Sequence, residues 1–508
     1  MNAYRHFADR FLCAPKRTFL EDDGGATTTY ADLEQATARI AGLLAKLGLS
    51  RGARVAAQID KSPQGVFLYL GVLRAGLCFL PLNTAYQETE LAYFLRNAEP
   101  ELVICRPDAA ALFERLGQAS KLRRVLTLDA RGEGTLTEEL KNIAPAVGIP
   151  TTSIDDPAVL IYTSGTTGRA NGAVLTHGNL TSNADVLRDA WRITADDVLI
   201  HALPMFHVHG LFVALHPLLS AGARLLFHRK FDPKQVLAAL PRATLLMGVP
   251  TFYTRLLAES DLSRERCAKM RLFVSGSAPL LDATFHAFAE RTGQAILERY
   301  GMSEAGMITS NPYEGERRAG TVGNPLPGVS LRVVGEDGRE LPRGQAGGIE
   351  IRGPNVFAGY LGMPDQTRHD FTADGYFKTG DVGILSDDAY VSIVGRSKDI
   401  VITGGYNVYP KEIELVLDAF PEVEESAVVG LPHDDLGESV TAVLVLRSGG
   451  ALTEMEAIAR LKSTIASYKV PRRVHFVQEL PRNAMGKVEK KRLREQLVGL
   501  LGSAPSAG

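Results

Sequence analysis

The chain is 508 residues long, with 45% hydrophobic and 22% charged side chains and a formal net charge of −2, the composition of an ordinary globular protein. That length exceeds what a single core usually organises, so a large domain and at least one smaller one are expected. A charge this close to neutral gives no electrostatic case for a nucleic-acid partner, and no apolar run approaches the roughly 18 residues of a membrane helix. The four cysteines, Cys13, Cys78, Cys105 and Cys267, form no CxxC pair and show no metal-ligand spacing, which points to a reducing compartment and hence the cytoplasm. Residues 1–20 carry Arg5, Arg10, Lys16 and Arg17 against Asp9 alone. That bias is found in transit peptides, but the serine-rich character of such peptides is missing.

In chain order, the first strong signal is TYADLEQATARIAGLLAKLG, residues 29–48. Thr29 and Asp32 predict a capping box, Leu33, Ile40, Leu44 and Leu47 share a face, and Gly48 stops the helix. Short apolar runs ending in Gly, Ser or Pro follow: AVLIYTSG (158–165), VLIHALP (198–204), TLLMGVP (244–250) and RLFVSGSAP (271–279). They predict buried parallel strands alternating with helices, an α/β architecture whose ligands sit beyond the carboxyl ends of the strands. From about residue 345 the texture becomes β-rich with many glycines. After residue 400 it becomes a compact alternation: helix 410–420, strands 426–431 and 440–447, helix 453–466, strand 472–477 and helix 488–498. This last part reads as a small α+β domain, followed by a disordered tail, 501–508, of Gly, Ser, Ala and Pro.

YTSGTTGRANGAV, residues 162–174, sets three glycines and a string of hydroxyls after a buried strand. Consecutive backbone N–H groups in such a loop can wrap a polyphosphate, although a plain surface turn has the same look. GxxxxGK[ST] is absent, which excludes an ordinary P-loop. His207 and His209 form an HxH doublet among apolar neighbours, with no third and fourth ligand in evidence for a metal.

Eight motifs occur in order: YTSGTTG (162–168), PMFHVHG (204–210), SGSAPL (275–280), YGMSE (300–304), YFKTGD (376–381), GRSKD (395–399), GGYNVYPKEIE (404–414) and PRNAMGK (481–487). Together they resemble the acyl-adenylate-forming superfamily of acyl-CoA synthetases, luciferases and adenylation domains over almost the whole chain. The resemblance implies a large multi-subdomain N-terminal α/β domain (1–396) and a small mobile C-terminal α+β domain (397–500). It implies activation of a carboxylate by MgATP and transfer of the acyl group to coenzyme A. On the matching positions, Thr163, Ser164, Gly165, Thr166, Thr167 and Gly168 hold phosphates, and Glu304 with Thr163 holds Mg²⁺. Tyr300 stacks on adenine, while Ser277, Ala278, Glu298, Gly301, Met302 and Ser303 complete the nucleotide pocket. Asp381 and Arg396 reach the ribose. Lys487 is the catalytic lysine of adenylation, Lys398 the hinge, and Gly404, Gly405 and Tyr406 line the pantetheine path. His207 lies between the acyl pocket and the thiol route. Where the family commonly has a lysine after the phosphate loop, RANG places Asn171, so less positive charge faces the pyrophosphate.

Relatives that take acetate or fatty acids usually carry a small or polar residue before YG[ML][ST]E, and here it is Arg299. A buried arginine is costly unless paired, and a second carboxylate on the substrate supplies a bidentate partner. A structural pair with Glu298 or Glu304 is the alternative. LERYGM, SGSAPL, TSNPY (309–313) and HALPMFHVHGLF are similar to the malonyl-CoA synthetase branch, which uses malonate and sometimes methylmalonate. In that branch the arginine and Ser277 hold the distal carboxylate, and Val208 and Met307 bound the pocket around C2. Val208 replaces a threonine common in that branch. Other readings are a ligase for another short acid, or a non-catalytic nucleotide- or acyl-CoA-binding relative, against which the presence of Lys487 and Glu304 argues.

Overall fold

The computed structural model describes residues 1–118, 121–164, 170–403, 406–433, 436–483 and 486–502, with backbone alone at Ser164, Lys398, Tyr406, Asn407 and 499–502. Gly165, Thr166, Thr167, Gly168, Gly404, Gly405 and the tail 503–508 lie outside these residues.

Two large sheets carry the first part of the chain. One is seven-stranded, and its strands Arg54–Gln58, Cys78–Pro81, Leu102–Cys105, Arg124–Thr127 and Pro157–Ser164 are parallel. Ala170–Thr176 and Gly359–Tyr360 extend it as antiparallel edges. The other is nine-stranded, with Thr18–Asp22, Arg224–Phe227, Val198–His201, Leu245–Gly248, Leu272–Ser275 and Leu297–Met302 parallel. Leu245–Gly248 and Leu272–Ser275 are buried at every position, as continuous apolar runs covered on both faces require. Four expected strands are thus present, and three of the motifs, YTSGTTG, PMFHVHG and SGSAPL, start at their carboxyl ends.

Helix Tyr30–Lys46 has the expected capping box, with Thr29 and Asp32 exchanging hydrogen bonds. It buries Leu33, Ile40, Leu43 and Leu44. The basic N-terminal segment forms helix Ala3–Phe11, which packs Tyr4, Phe7 and Phe11 into the main core and leaves Arg5 and Arg10 in solvent. Among the described residues no helix is long and apolar enough to cross a membrane.

A four-stranded antiparallel sheet includes Phe377–Leu385 and Val391–Arg396. The C-terminal part has its own five-stranded sheet and its own core around Val401, Ile413, Val428 and Leu444. Two differences from expectation have local causes. The strands near 426 and 440 run longer, as one hairpin of Val423–His433 on Gly437–Leu446. The helix expected to residue 466 ends at Lys462, because the Ser463 and Thr464 hydroxyls both donate to the Arg460 carbonyl and compete with helix continuation.

Candidate active site

The centre of the site is strand Leu297–Met302, which turns through 303–305 into Gly306–Ser310. Alternation along a strand sends Glu298 and Tyr300 to one face and Arg299 to the other. The register slips between Tyr300 and Gly301, an irregularity that re-aims the residues after it. Met307 lies across Gly301, where a Cβ would fall 2.2 Å from the Met307 methyl carbon. Its backbone is fixed by Asn183, which accepts from the Met307 N–H at 3.1 Å and donates to its carbonyl at 3.0 Å. Val208 and Met307 are both buried.

Arg299 is 3% exposed. Its Nε and Nη2 are buried with no hydrogen-bond partner, and no described carboxylate lies within ion-pair distance. The structural pair with Glu298 or Glu304 is therefore not made. Burial pulls the guanidinium down to about 9, with Tyr253 and Glu298 opposing, so it remains a cation at neutral pH. Glu298 points away, and its carboxyl group accepts the Leu280 N–H at 3.0 Å, tying down the SGSAPL loop.

Two histidines face Arg299. Burial first and the guanidinium second hold His207 down at about 4 and His209 well below its ordinary value, so both are neutral. His207 Nδ1 accepts the His209 N–H at 3.2 Å, which leaves the ring proton on Nε2. His209 Nδ1 lies 3.3 Å from Ser277 Oγ, and Ser277 has a left-handed backbone with φ of +73°, a strained geometry for serine. Among the described residues no group of three or more His, Cys, Asp or Glu side chains is placed to share a metal ion. The segment is stiffened from behind: Lys61 Nζ donates to His201 Nδ1 at 2.8 Å, and His201 Nε2 meets the Gly210 carbonyl at 2.9 Å.

On the opposite face the polar groups are paired. The Tyr300 hydroxyl donates to Asp381 Oδ2 at 2.5 Å, and Arg396 Nε meets Asp381 Oδ1 at 2.9 Å. Glu304, 7% exposed, accepts from the Thr163 hydroxyl at 3.2 Å and the Tyr360 hydroxyl at 3.4 Å. Burial raises its carboxyl above the usual carboxylate range. Asn171 pairs with Thr163 across the hairpin, so the two side chains share a face, and Asn171 is buried. Ala278, Met302 and Ser303 are half-buried. Tyr360, Asn183, His201 and Lys61 were missed by sequence reasoning. Only His201 left a signal, as the polar end of the VLIH run.

The lysine loop closes on itself: Asn483 N–H donates to the Lys487 carbonyl at 2.9 Å, and Lys487 N–H donates to Asn483 Oδ1 at 3.1 Å. Gly486 lies beside Thr251, where a Cβ would be in ordinary contact at 3.4 Å. Thr251 begins the helix Pro250–Leu257, so the loop abuts the wall of the large N-terminal part. Beside Pro204, Met205 and Phe206 lies a cavity of about 320 Å³ that also reaches Lys61, Arg229 and Lys230.

Burial raises the Glu298 carboxyl to about 8, with Leu280, Lys411 and Arg299 opposing. Between 4.5 and about 8 the folded protein therefore keeps a proton that the unfolded chain has lost, and this group makes stability fall as pH rises through that window. Glu298→Gln keeps the acceptor for Leu280 and should flatten that slope. Thermal unfolding from pH 5 to 8 checks it; parallel curves for both proteins would rule the assignment out.

The AMP-binding enzyme family matches residues 7–361, and the AMP-binding enzyme C-terminal domain matches residues 412–487. A malonate–CoA ligase of Arabidopsis thaliana is 35% identical over 523 residues, spanning 93% of this chain and 85% of that protein. A feruloyl-CoA synthase of an Amycolatopsis species is 34% identical over 477 residues, spanning 93% and 94%. Among solved structures, ATP-bound MatB from Rhodopseudomonas palustris is 49% identical, covers 98% of this chain and 100% of its own, and superposes with a TM-score of 0.95. The apo form of that protein, covering 98% and 99%, gives 0.85. Two domain matches in sequence order, an α/β body and a motif set assembled at its strand ends make the chain a member of the AMP-binding enzyme family.

Proposed function

We propose that the protein is a malonate–CoA ligase, joining malonate to coenzyme A with conversion of ATP to AMP and diphosphate. The observation that carries the acid is Arg299, a cation buried in the acyl pocket with no carboxylate partner among the described residues. Similarity supports malonate through relatives that are malonate–CoA ligases, but a feruloyl-CoA synthase is almost as similar, so it does not by itself explain the choice of acid. A desolvated guanidinium does, because it favours a substrate whose second carboxylate can accept two parallel N–H bonds. Ser277, oriented by His209, is the neighbouring hydroxyl, and Val208 and Met307 close the pocket around C2.

In the first half-reaction a malonate carboxylate oxygen bonds to the α-phosphorus and diphosphate leaves, giving malonyl-AMP. The reactants are all anions, so catalysis consists of positioning and charge neutralisation. Lys487, on the loop seated against Thr251, supplies positive charge between the carboxylate and the α-phosphate. Tyr300, Asp381 and Arg396 hold the nucleoside. Glu304 and Thr163 offer a carboxylate and a hydroxyl, hard oxygen donors of the kind that bind Mg²⁺ alongside substrate phosphates. The ion would offset phosphate charge there. The better superposition on the ATP-bound form of MatB supports reading this arrangement as the adenylating one.

In the second half-reaction the coenzyme A sulfur bonds to the acyl carbon and AMP leaves. Lysine and thiol need the same centre at different times, so the small domain turns about Lys398, bringing Gly404, Gly405 and Tyr406 to the pantetheine arm. The cavity beside Met205 and Phe206, with apolar walls and Arg229 and Lys230 at hand, suits a pantetheine arm that ends in phosphates.

Malonate should exceed acetate or propionate by about 10⁴ in kcat/KM, as at sites built for a buried polar partner, and Arg299→Ala should remove most of that preference. Thioester formation with malonate, methylmalonate, acetate and propionate side by side measures it, and comparable activity on acetate in the unmutated protein refutes the dicarboxylate reading. Lys487→Ala should slow diphosphate release by roughly 10² to 10³ while thioester formation from supplied malonyl-AMP survives. Equal loss of both steps would remove Lys487 from its role. Lys398→Pro, which locks a backbone angle at the hinge, should preserve diphosphate release and block thioester formation. Normal turnover in that variant counts against the hinge.

A further inference from the structure

Gly276 takes no part in either half-reaction, yet it lies tight against the guanidinium of Arg299. Strands Leu272–Ser275 and Leu297–Met302 run parallel with Ser275 opposite Glu298, which brings the next residue of each, Gly276 and Arg299, side by side. A Cβ built on Gly276 would fall 2.4 Å from Arg299 Cζ, 2.4 Å from Nη1 and 2.7 Å from Nε. The guanidinium therefore occupies the volume that any other side chain at 276 would fill.

The conflict involves only the far end of a flexible side chain. Gly276 is not among the residues with positive φ, so an L-residue fits its backbone without strain. Its N–H donates to the Gly248 carbonyl at 3.3 Å, a bond that alanine keeps. An added methyl thus leaves the strand intact and obliges the arginine to move. Arg299 is buried, 3% exposed, so the displaced guanidinium moves within the pocket rather than out to solvent.

We infer that Gly276 is a positioning residue for acid selection, its missing side chain being the seat that fixes the Arg299 fork toward the second carboxylate of the substrate. The inference rests on the proposed role of Arg299 and adds that the arginine alone is insufficient. A bidentate contact loses much of its worth when one partner moves by about an ångström, and the substituted seat forces a shift of that order.

The test is a double-mutant cycle of Gly276→Ala, Arg299→Ala and the pair, run on the acid that the unmutated protein turns over best. Gly276→Ala should unfold at nearly the same temperature as the unmutated protein. Its KM for the acid should rise at least tenfold while the KM for ATP holds. In the Arg299→Ala background the same substitution should change kcat/KM by less than twofold, because the group it displaces is gone. Full retention of acid selectivity in Gly276→Ala overturns the inference, as does an undiminished effect in the Arg299→Ala background, which would mean that Gly276 acts through Ser277 or the loop. If Arg299→Ala by itself leaves selectivity untouched, it is the dicarboxylate reading that fails.

Discussion

A charge buried without a partner is the constraint around which this site is arranged. A guanidinium removed from water loses several kcal/mol of hydration unless something replaces it, and around Arg299 no described residue supplies a carboxylate. It supplies surroundings that tolerate the charge. His207 and His209 are held neutral, so no second cation opposes the first. Glu298, the adjacent acid, is turned to the far face and engaged with Leu280. In the proposed function the uncompensated charge is kept for the substrate, and binding of a dianion completes what folding leaves open.

The other side of the same strand follows the opposite rule. Tyr300, Asp381 and Arg396 form a connected set in which hydroxyl, carboxylate and guanidinium meet one another, and Glu304 is held by two hydroxyls. Such a network is stiff, because each polar group loses a bond if its neighbour moves. A rigid nucleotide face suits a reaction whose barrier is lowered by alignment of phosphate, carboxylate and lysine. The acid face is adjustable only at its exposed chemistry, while its backbone is fixed through Asn183 and the slip at Tyr300 and Gly301.

Much of this was legible in the sequence, for identifiable reasons. The capping box at Thr29, the apolar runs and the compact alternation after residue 400 depend on local spacing, and each became the expected element. Arg299 stood out because relatives that take acetate or fatty acids usually carry a small or polar residue at that position. What escaped notice depends on contacts between distant segments. Tyr360 reaches Glu304 from a two-residue edge strand, and Asn183 reaches Met307 from a helix. Lys61 supports His201 across two sheets. None of these has a spacing signature. The early end of the helix at Lys462 lay in two hydroxyls whose competition for one carbonyl a periodic pattern does not register.

The pleat of strand Leu297–Met302 has a consequence for how such proteins diverge. In the proposed function, neighbouring residues on one strand answer to different groups: position 299 to the acid, positions 298 and 300 to the loop and the nucleoside. A substitution at 299 can therefore exchange one acid for another without disturbing the ATP machinery, whereas an inserted or deleted residue would exchange the two faces and destroy both. Lineages built on this strand are free to drift in substrate by point mutation while their length here stays fixed, and relatives that use a phenolic acid and a dicarboxylic acid can remain almost equally similar to this chain.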